Sequence, residues 1–411
     1  MSPHLRRTLL SPYHYLWAVL SALWYGSPAT HLTVIGVTGT KGKSSVAEML
    51  HAILTAAGHK TALASTIHFV TGIDVEPNLF KMTLPGRGFI QKFLARTLQQ
   101  GCTHAVVEIT SEAALQYRHL GLELDALVFT NLQKEHVESH GGMEQYFRAK
   151  FRIAEALVRS HKRPRSIIAN ADDARGAAFL ALSVEQRVAF ALADTTSVHT
   201  DEHSVSFIYK HVPFTLPHPG HFSVMNALAA IKTAETLHVP LETSAKALAA
   251  LSTIAGRAER IDAGQNFLAI VDYAHTPDSL SALYSAFANR RKICVLGNTG
   301  GGRDTWKRPL MGQIAEEACA EVILTNEDPY DEDPQAIVDA MAAGMQRVPT
   351  IIMDRRAAIH YALTQARAGD VVLISGKGTD PYLMEAGGTK TPWSDAAVVR
   401  EELGKVVLRH G

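Results

Sequence analysis

Apolar positions along the chain follow two periods. Short unbroken runs such as "TVIGV", "HAVVEI", "LDALVF" and "SIIAN" have the length and β-branched content of buried strands. The stretch "SSVAEMLHAILTAAGHK" instead spaces its apolar residues for one helical face. Val46, Met49, Leu50 and Leu54 share that face, and Gly58 is the stop. Toward the C-terminus, "FLAIVDY", "KICVLG", "EVILT", "PTIIMD" and "DVVLISG" recur at near-even intervals. Helical patterns such as "PDSLSALYSAFANR" and "DPQAIVDAMAAGMQ" lie between them. Strands alternating with helices predict an α/β fold with mostly parallel sheets. Three segments are expected: an aromatic and apolar helical segment (1–30), a central α/β domain (31–254), and a Rossmann-like doubly wound domain (255–411).

The first segment breaks the pattern. From Ser11 to Thr40 there is no Asp, Glu, Lys or Arg. Tyr13, Trp17, Leu20 and Trp24 fall at helical spacing and form one stripe. The apolar run is shorter than the ~20 residues that span a bilayer, and no A-x-A-like cleavage site follows it. It reads as a helix docked on the protein's own body, with an interfacial membrane helix as the alternative.

Composition adds exclusions. Hydrophobic residues make up 46% and charged residues 19% of 411, enough for the cores of two or three domains. Lys+Arg and Asp+Glu both total 40, so no net basic charge points to nucleic acid. Cys102, Cys294 and Cys319 show no paired spacing and read as separate core thiols of a reducing compartment.

The stretch "VIGVTGTKGKSS" carries the clearest chemistry. A strand runs into Gly39, Thr40, Gly42, Lys43, Ser44 and Ser45, then a helix. Glycines let backbone N–H groups approach an anion, and the helix start adds partial positive charge. Lys43 has the reach for β/γ-phosphates, and the Ser44 hydroxyl is placed to ligate Mg²⁺. Val37 stands where a strict P-loop has glycine, and the loop makes 31–254 the expected central ATP-binding domain, of P-loop type.

That variant loop, "TGTKGKSS", resembles the Mur ligase family. The likeness continues in order through "TNLQKEHVESHGGMEQYFRAKFRI", "HFSVMNALAAI", "GRAERID", "VDYAHTPDSL", "GGGRDTWKRPLMG", "TNEDPYDEDP" and "ISGKGTDPY", nearest the MurE branch. The branch's UDP-gripping front domain has no counterpart in the some thirty-five residues before the loop. The resemblance implies an ADP-forming carboxylate–amine ligase in which ATP phosphorylates a carboxylate and an amine then displaces phosphate. It implies roles for Lys43, Glu108, His136 and Lys150 in catalysis, and two Mg²⁺ sites held by Ser44, Glu108, His136 and a carbamylated Lys150. Asn226, Arg257, Asp272 and His275 would complete the ATP site across both domains. Thr83 and Ser111 would face a muramyl-peptide-like acceptor carboxylate, with Glu112 in place of the family's histidine. Relatives acting on folate, polyglutamate or cyanophycin-like chains supply an alternative substrate, and a non-catalytic nucleotide-binding scaffold is a third reading. A cytoplasmic enzyme is expected, at the inner membrane face where the N-terminal helix is interfacial.

For the amine, the resemblance places a free amino acid near Arg303, Asn326, Glu327, Asp328 and Asp380. Tyr330 replaces the arginine that meets the distal carboxylate of diaminopimelate in the family. Glu327, Asp328, Asp331, Glu332 and Asp333 make this stretch strongly acidic, which favours a cationic side chain, lysine or ornithine, over diaminopimelate.

Overall fold

The computed structural model describes residues 3–86, 88–135 and 137–410. The chain opens with helix α1 (Pro3–Trp24) and strand β1 (Thr33–Thr38), followed by α2 (Lys43–Ala56), β2 (Thr61–Ala64), β3 (His68–Thr71) and β4 (Asp74–Pro77). Next come α3 (Phe89–Gln99), β5 (His104–Glu108), α4 (Ser111–Leu115), β6 (Ala126–Phe129), α5 (Val137–His140) and α6 (Met143–Arg159). Then follow β7 (Ser166–Asn170), α7 (Gly176–Leu180) and β8 (Gln186–Phe190). Among the described residues these strands form an eight-stranded sheet in the order β4-β3-β2-β5-β1-β6-β7-β8. Pairing from β2 to β8 is parallel, and only β3 and β4 run antiparallel at one edge.

The sheet is parallel because each strand returns through a covering helix, which requires apolar residues on both faces. On one side Val46, Met49, Leu50, Ile53 and Leu54 of α2 are fully buried with Ile35, Val37, Val106 and Val128. At roughly 25 cal/mol per Å² of buried apolar surface, this face contributes strongly to stability. A meander of β9 (Thr196–Thr200), β10 (Val205–Tyr209) and β11 (Val212–Leu216) extends the same core, followed by α8 (His221–Thr236).

The second sheet comprises β12 (Glu259–Ile261), β13 (Leu268–Asp272), β14 (Lys292–Leu296), β15 (Glu321–Leu324), β16 (Thr350–Ile351) and β17 (Val371–Ser375), in the order β12-β13-β17-β14-β15-β16. It has its own cores on both faces. The fold is therefore the expected mixed α/β arrangement of two parallel-rich sheets. The antiparallel strands β3, β4 and β9–β11 lay outside the expectation.

Two expectations change. Cys294 in β14 and Cys319 just before β15 form a disulfide, with Cα atoms 6.2 Å apart, rather than remaining separate thiols. Adjacent parallel strands bring these positions together across the intervening helix Lys307–Ala318. Cys102 stays free and buried. Helix α1 does pack on the body, but through its small residues. Ser21 is buried, a Cβ on Gly88 would come 2.7 Å from Ser21 Cβ, and one on Gly121 would come 3.0 Å from Ala22 Cβ. Of the aromatic stripe, Leu20 and Trp24 face outward, with Trp24 85% exposed, while Tyr13 and Trp17 are half-exposed along a groove on the body.

Candidate active site

After Thr38 the chain turns through the glycine loop into α2. Gly39 (φ 149°) and Gly42 (φ 81°) hold backbone conformations that favour glycine. A Cβ at Gly39 would lie 1.9 Å from Thr130 Oγ1, and one at Gly42 would lie 2.3 Å from Asn226 Oδ1. Asn226, on α8, thus sits against the loop. Asn131 Oδ1 accepts from the Lys41 amide (2.9 Å), while Asn131 Nδ2 and Thr130 Oγ1 donate to the Lys41 carbonyl (3.1 and 2.6 Å). The first backbone bond into the helix runs from Val46 N to Gly42 O. The N–H groups of Lys43, Ser44 and Ser45 therefore project from the helix start without intrahelical partners. A cradle with no room for a Cβ, lined by amides, fits a polyphosphate.

Three predicted side chains converge here. Glu108, at the end of β5, accepts through Oε2 from Ser44 Oγ (3.0 Å), Thr66 Oγ1 (3.0 Å) and Thr66 N (2.9 Å). Lys43 Nζ lies 4.0 Å from Glu108 Oε1 and donates to Thr40 O (3.0 Å). Lys150, on α6, is 2% exposed; its Nζ donates to Gly39 O (2.6 Å) and sits 4.6 Å above the Tyr146 ring. Desolvation pushes the Lys43 amine below its ordinary pKa, and desolvation with nearby Lys43 pushes Lys150 well below. A carboxylate and a hydroxyl at one spot are the hard oxygen donors that suit Mg²⁺. His136, the fourth expected member, lies outside the described residues. Among the described residues no three His, Cys, Asp or Glu side chains converge as a metal cluster.

The second sheet closes over the loop. Arg257 Nη2 donates to Ser44 Oγ (3.0 Å), and its guanidinium lies 4.7 Å from the Tyr273 ring. Asp272 bonds the Ala258 and Ala274 amides (both 2.6 Å) and so anchors its own turn. His275 Nε2 meets Glu135 Oε1 at 2.6 Å, and Lys41 Nζ meets Glu135 at 3.2 Å. Burial, then Lys41, pulls His275 down to about 4. Lys307 Nζ donates to the His275 carbonyl (2.9 Å).

The acceptor-side residues occupy neighbouring positions. Thr83 Oγ1 lies 2.7 Å from Thr66 Oγ1, one hydroxyl away from Glu108. Ser111 is buried at the start of α4, whose N-cap is Thr110. Asn326 follows β15, and its amide bonds Met353 O (3.3 Å).

The acidic stretch departs from expectation. Asp328 is buried and bonds Lys377 Nζ (2.8 Å), Met384 N (2.8 Å) and Lys81 Nζ. Against desolvation, Lys377 and Lys81 hold its carboxyl below the ordinary range. Glu327 is buried, takes the Thr299 hydroxyl (2.7 Å), and is pushed up by desolvation. Glu332 pairs with Arg308 (2.7 Å) and Asp331 accepts from Gly387 N (2.8 Å). Asp333 caps the helix Pro334–Ala342. The two buried acids, Glu327 and Asp328, and the paired Glu332 serve the fold, which takes away most of the free charge on which the argument for lysine or ornithine relied. Arg303 stays exposed to solvent, in the field of Tyr273, Tyr330 and Asp380. Asp380 lies 3.7 Å from both Lys81 and Lys377.

Sequence reasoning missed Thr66, Glu135, Lys41, Lys81 and Lys377. Lys41 and Lys377 stand inside quoted motifs. Thr66 and Lys81 lie in irregular loops whose partners are set only by tertiary contact.

The Mur ligase middle domain model matches residues 37–234, and the model of the Mur ligase glutamate ligase domain matches residues 256–378. The UDP-N-acetylmuramoyl-L-alanyl-D-glutamate--2,6-diaminopimelate ligase of Listeria monocytogenes is 35% identical over 381 residues, covering 89% of this chain and 77% of its own length. The UDP-N-acetylmuramyl-tripeptide synthetase of Roseiflexus sp. is 36% identical over 420 residues, covering 95% and 82%. A solved diaminopimelate ligase structure superposes with TM-score 0.61 at 29% identity, covering 92% of this chain and 79% of that one. The Mycobacterium tuberculosis folylpolyglutamate synthase shares the fold (TM-score 0.72, 18% identity, covering 89% and 93%).

Proposed function

The chain belongs to the Mur ligase family, and on that premise we propose that it is an ADP-forming ligase of MurE type in peptidoglycan precursor synthesis. It joins an amino acid to the carboxylate of a UDP-muramoyl-peptide acceptor. Diaminopimelate, the amine in the names of the relatives, takes the place of the lysine or ornithine inferred from charge. The observation that carries this reading is the meeting of Lys43, Ser44, Glu108 and Lys150 around a Cβ-excluding loop, with Arg257 reaching in from the second sheet.

When bound, ATP supplies the phosphoryl group that activates the carboxylate, and Mg²⁺ screens the charge between them. The chain's residues position and protect. The amides of residues 43–45 and the Lys43 amine hold the phosphates. Ser44 and Glu108 would supply oxygen ligands to Mg²⁺, with His136 and Lys150 at a second metal site. Burial favours the neutral Lys150 amine, the form that attacks CO₂. Attack forms the N–C bond, releases an amine proton and leaves a carbamate, an anionic oxygen group that would support the second Mg²⁺. Asn226, Asp272 and His275 complete the nucleotide pocket, while Thr83 and Ser111 face the acceptor. Arg303 receives the α-carboxylate of the amino acid, flanked by Asn326, Glu327, Asp328 and Asp380. Residues 31–254 act as the activating domain and 255–411 as the amine-binding one, so closure through Arg257 shields the activated carboxylate from water. The enzyme works in the cytoplasm, and the outward face of α1 in segment 1–30 makes a peripheral contact with the inner membrane face.

The test is phosphate release with Mg²⁺-ATP, crossing UDP-muramoyl-dipeptide and simpler carboxylates with diaminopimelate, lysine and ornithine. Release should require one carboxylate and one amine together. Lys43→Met should cut it about 10²–10³-fold. Unchanged release in that variant would overturn the reading.

A further inference from the structure

Helix α1 inverts the usual rule for a docked helix. A helix on a water-soluble body turns its apolar stripe inward. Here Ser21, with the small Ala22 beside it, faces the protein, while Tyr15, Leu16, Trp17, Leu20, Leu23 and Trp24 are exposed. An exposed patch of this kind marks a surface that something apolar covers. No described helix is long and apolar enough to cross a membrane.

Beside this face lies a groove of about 670 Å³. Its walls are Tyr13 and Trp17 on the α1 side and Phe80, Met82 and Phe89 on the other. Of its described lining residues only Arg118 carries a fixed charge. The Arg118 guanidinium donates to Leu84 O, to Met82 Sδ (3.7 Å) and to Gln116 Oε1, all neutral acceptors. Its Nε is buried without a hydrogen-bond partner, and Glu112, which accepts from Gln116 (2.7 Å), is the acid in its field. His14, also in the lining, is held below its ordinary pKa, mainly by burial and then by Arg118.

The groove also leads to the reaction centre. Its lining includes Met82, Pro85 and Gly86, which flank Thr83. Thr83 reaches Glu108 through Thr66. Asn78 fastens this loop by donating to Ser65 O (2.9 Å) and Met82 O (3.0 Å), and Lys81 ties it to Asp328 of the second sheet. One end of the groove therefore meets the acceptor loop, while its α1 wall continues into the outward apolar face.

We propose that this groove binds a phosphate-headed lipid, its hydrocarbon between α1 and Phe80/Phe89 and its phosphate facing Arg118, an occupant that would hold the chain at a bilayer surface. Apolar walls account for the chain, the unpartnered Nε of the Arg118 guanidinium for an anionic head, and the exposed helix face for the exit to the membrane.

The experiment is calorimetric titration of the full chain with farnesyl phosphate, farnesol and UDP, without ATP or amino acid. Farnesyl phosphate should bind saturably and about tenfold more tightly than farnesol, since a charge-assisted contact separates them. Phe80→Asp and Met82→Asp, both at partly exposed positions, should each weaken farnesyl phosphate at least about tenfold. Mg²⁺-ATP binding to the same preparations should stay unchanged. Absence of farnesyl phosphate binding, affinity unaltered in both variants, or equal affinity for farnesol would overturn the proposal. Displacement of farnesyl phosphate by UDP would also overturn it, in favour of a nucleotide pocket. Loss of ligase turnover with intact farnesyl phosphate binding would instead count against the ligase reading alone.

Discussion

The glycine loop and the acidic stretch after β15 are both dense in charge, yet they treat it oppositely. At the loop, Lys150 is buried and Lys43 nearly so; backbone carbonyls accept from both, Glu108 lies 4.0 Å from Lys43, and desolvation drives both amines toward neutrality. At the acidic stretch, Asp328 is gripped by two lysines and an amide. There, against desolvation, Asp380 and Asp328 raise the Lys377 amine above its ordinary pKa. The first region stays under-compensated in the protein alone and is built for an anion from outside. The second is already satisfied, and its charge serves the fold. Charge content in a sequence thus says little about whether that charge is available to a ligand.

The sharpest way to break this contrast is to remove one buried amine from each region. Lys377 Nζ is fully buried and also donates to Tyr382 O (2.6 Å). Lys377→Met strands Asp328 and should cost about 3–5 kcal/mol in denaturant unfolding. Lys150→Met keeps length and volume and strands only a carbonyl. Its unfolding midpoint should match or exceed the parent's, while phosphate release collapses. Spectra of protein equilibrated with ¹³C-bicarbonate should show a carbamate resonance that this variant lacks. Equal destabilisation by both substitutions would erase the distinction.

What was legible in the sequence follows the same line. Strand runs and the α2 stripe were readable because period and burial are local properties. Gly39, Gly42, Lys43 and Ser44 were readable because one short loop sets their geometry. Glu108 and Lys150 came from ordered motifs, and the structure brings both to that loop. The acidic stretch misled, because its partners Lys81 and Lys377 lie 247 and 49 residues from Asp328. The α1 stripe was visible as a stripe, but its direction was not: a period does not say which face docks. The disulfide was likewise invisible, since only strand pairing brings Cys294 and Cys319 together.

Acid should separate the two regions in order. His275, beside the loop, is buried and pulled from 6.5 down to about 4. A folded pKa below the unfolded one gives stability that is complete above pH 6.5 and lost as pH falls toward 4. The full term is about 3 kcal/mol. Asp328 is depressed below 3.8, so its contribution persists until pH falls through that value. Between pH 6.5 and 4 the parent should therefore lose more stability than His275→Gln, with the difference read from paired urea titrations. Identical slopes would mean that the buried His275 imidazole is not what acid disturbs.

The smallest effect tests whether the acids at the far end of the stretch select the amine. Asp333 accepts from Gln335 N (3.0 Å) as the N-cap of the helix Pro334–Ala342. Asp333→Ala should cost about 1 kcal/mol, the usual penalty for losing an N-cap. Because this carboxylate is spent on the helix start, the order of preference among diaminopimelate, lysine and ornithine should not move. A shift of that order toward diaminopimelate in Asp333→Ala would show the acid's field reaching the amine after all, and would restore the charge argument that the buried pairing of Asp328 removes.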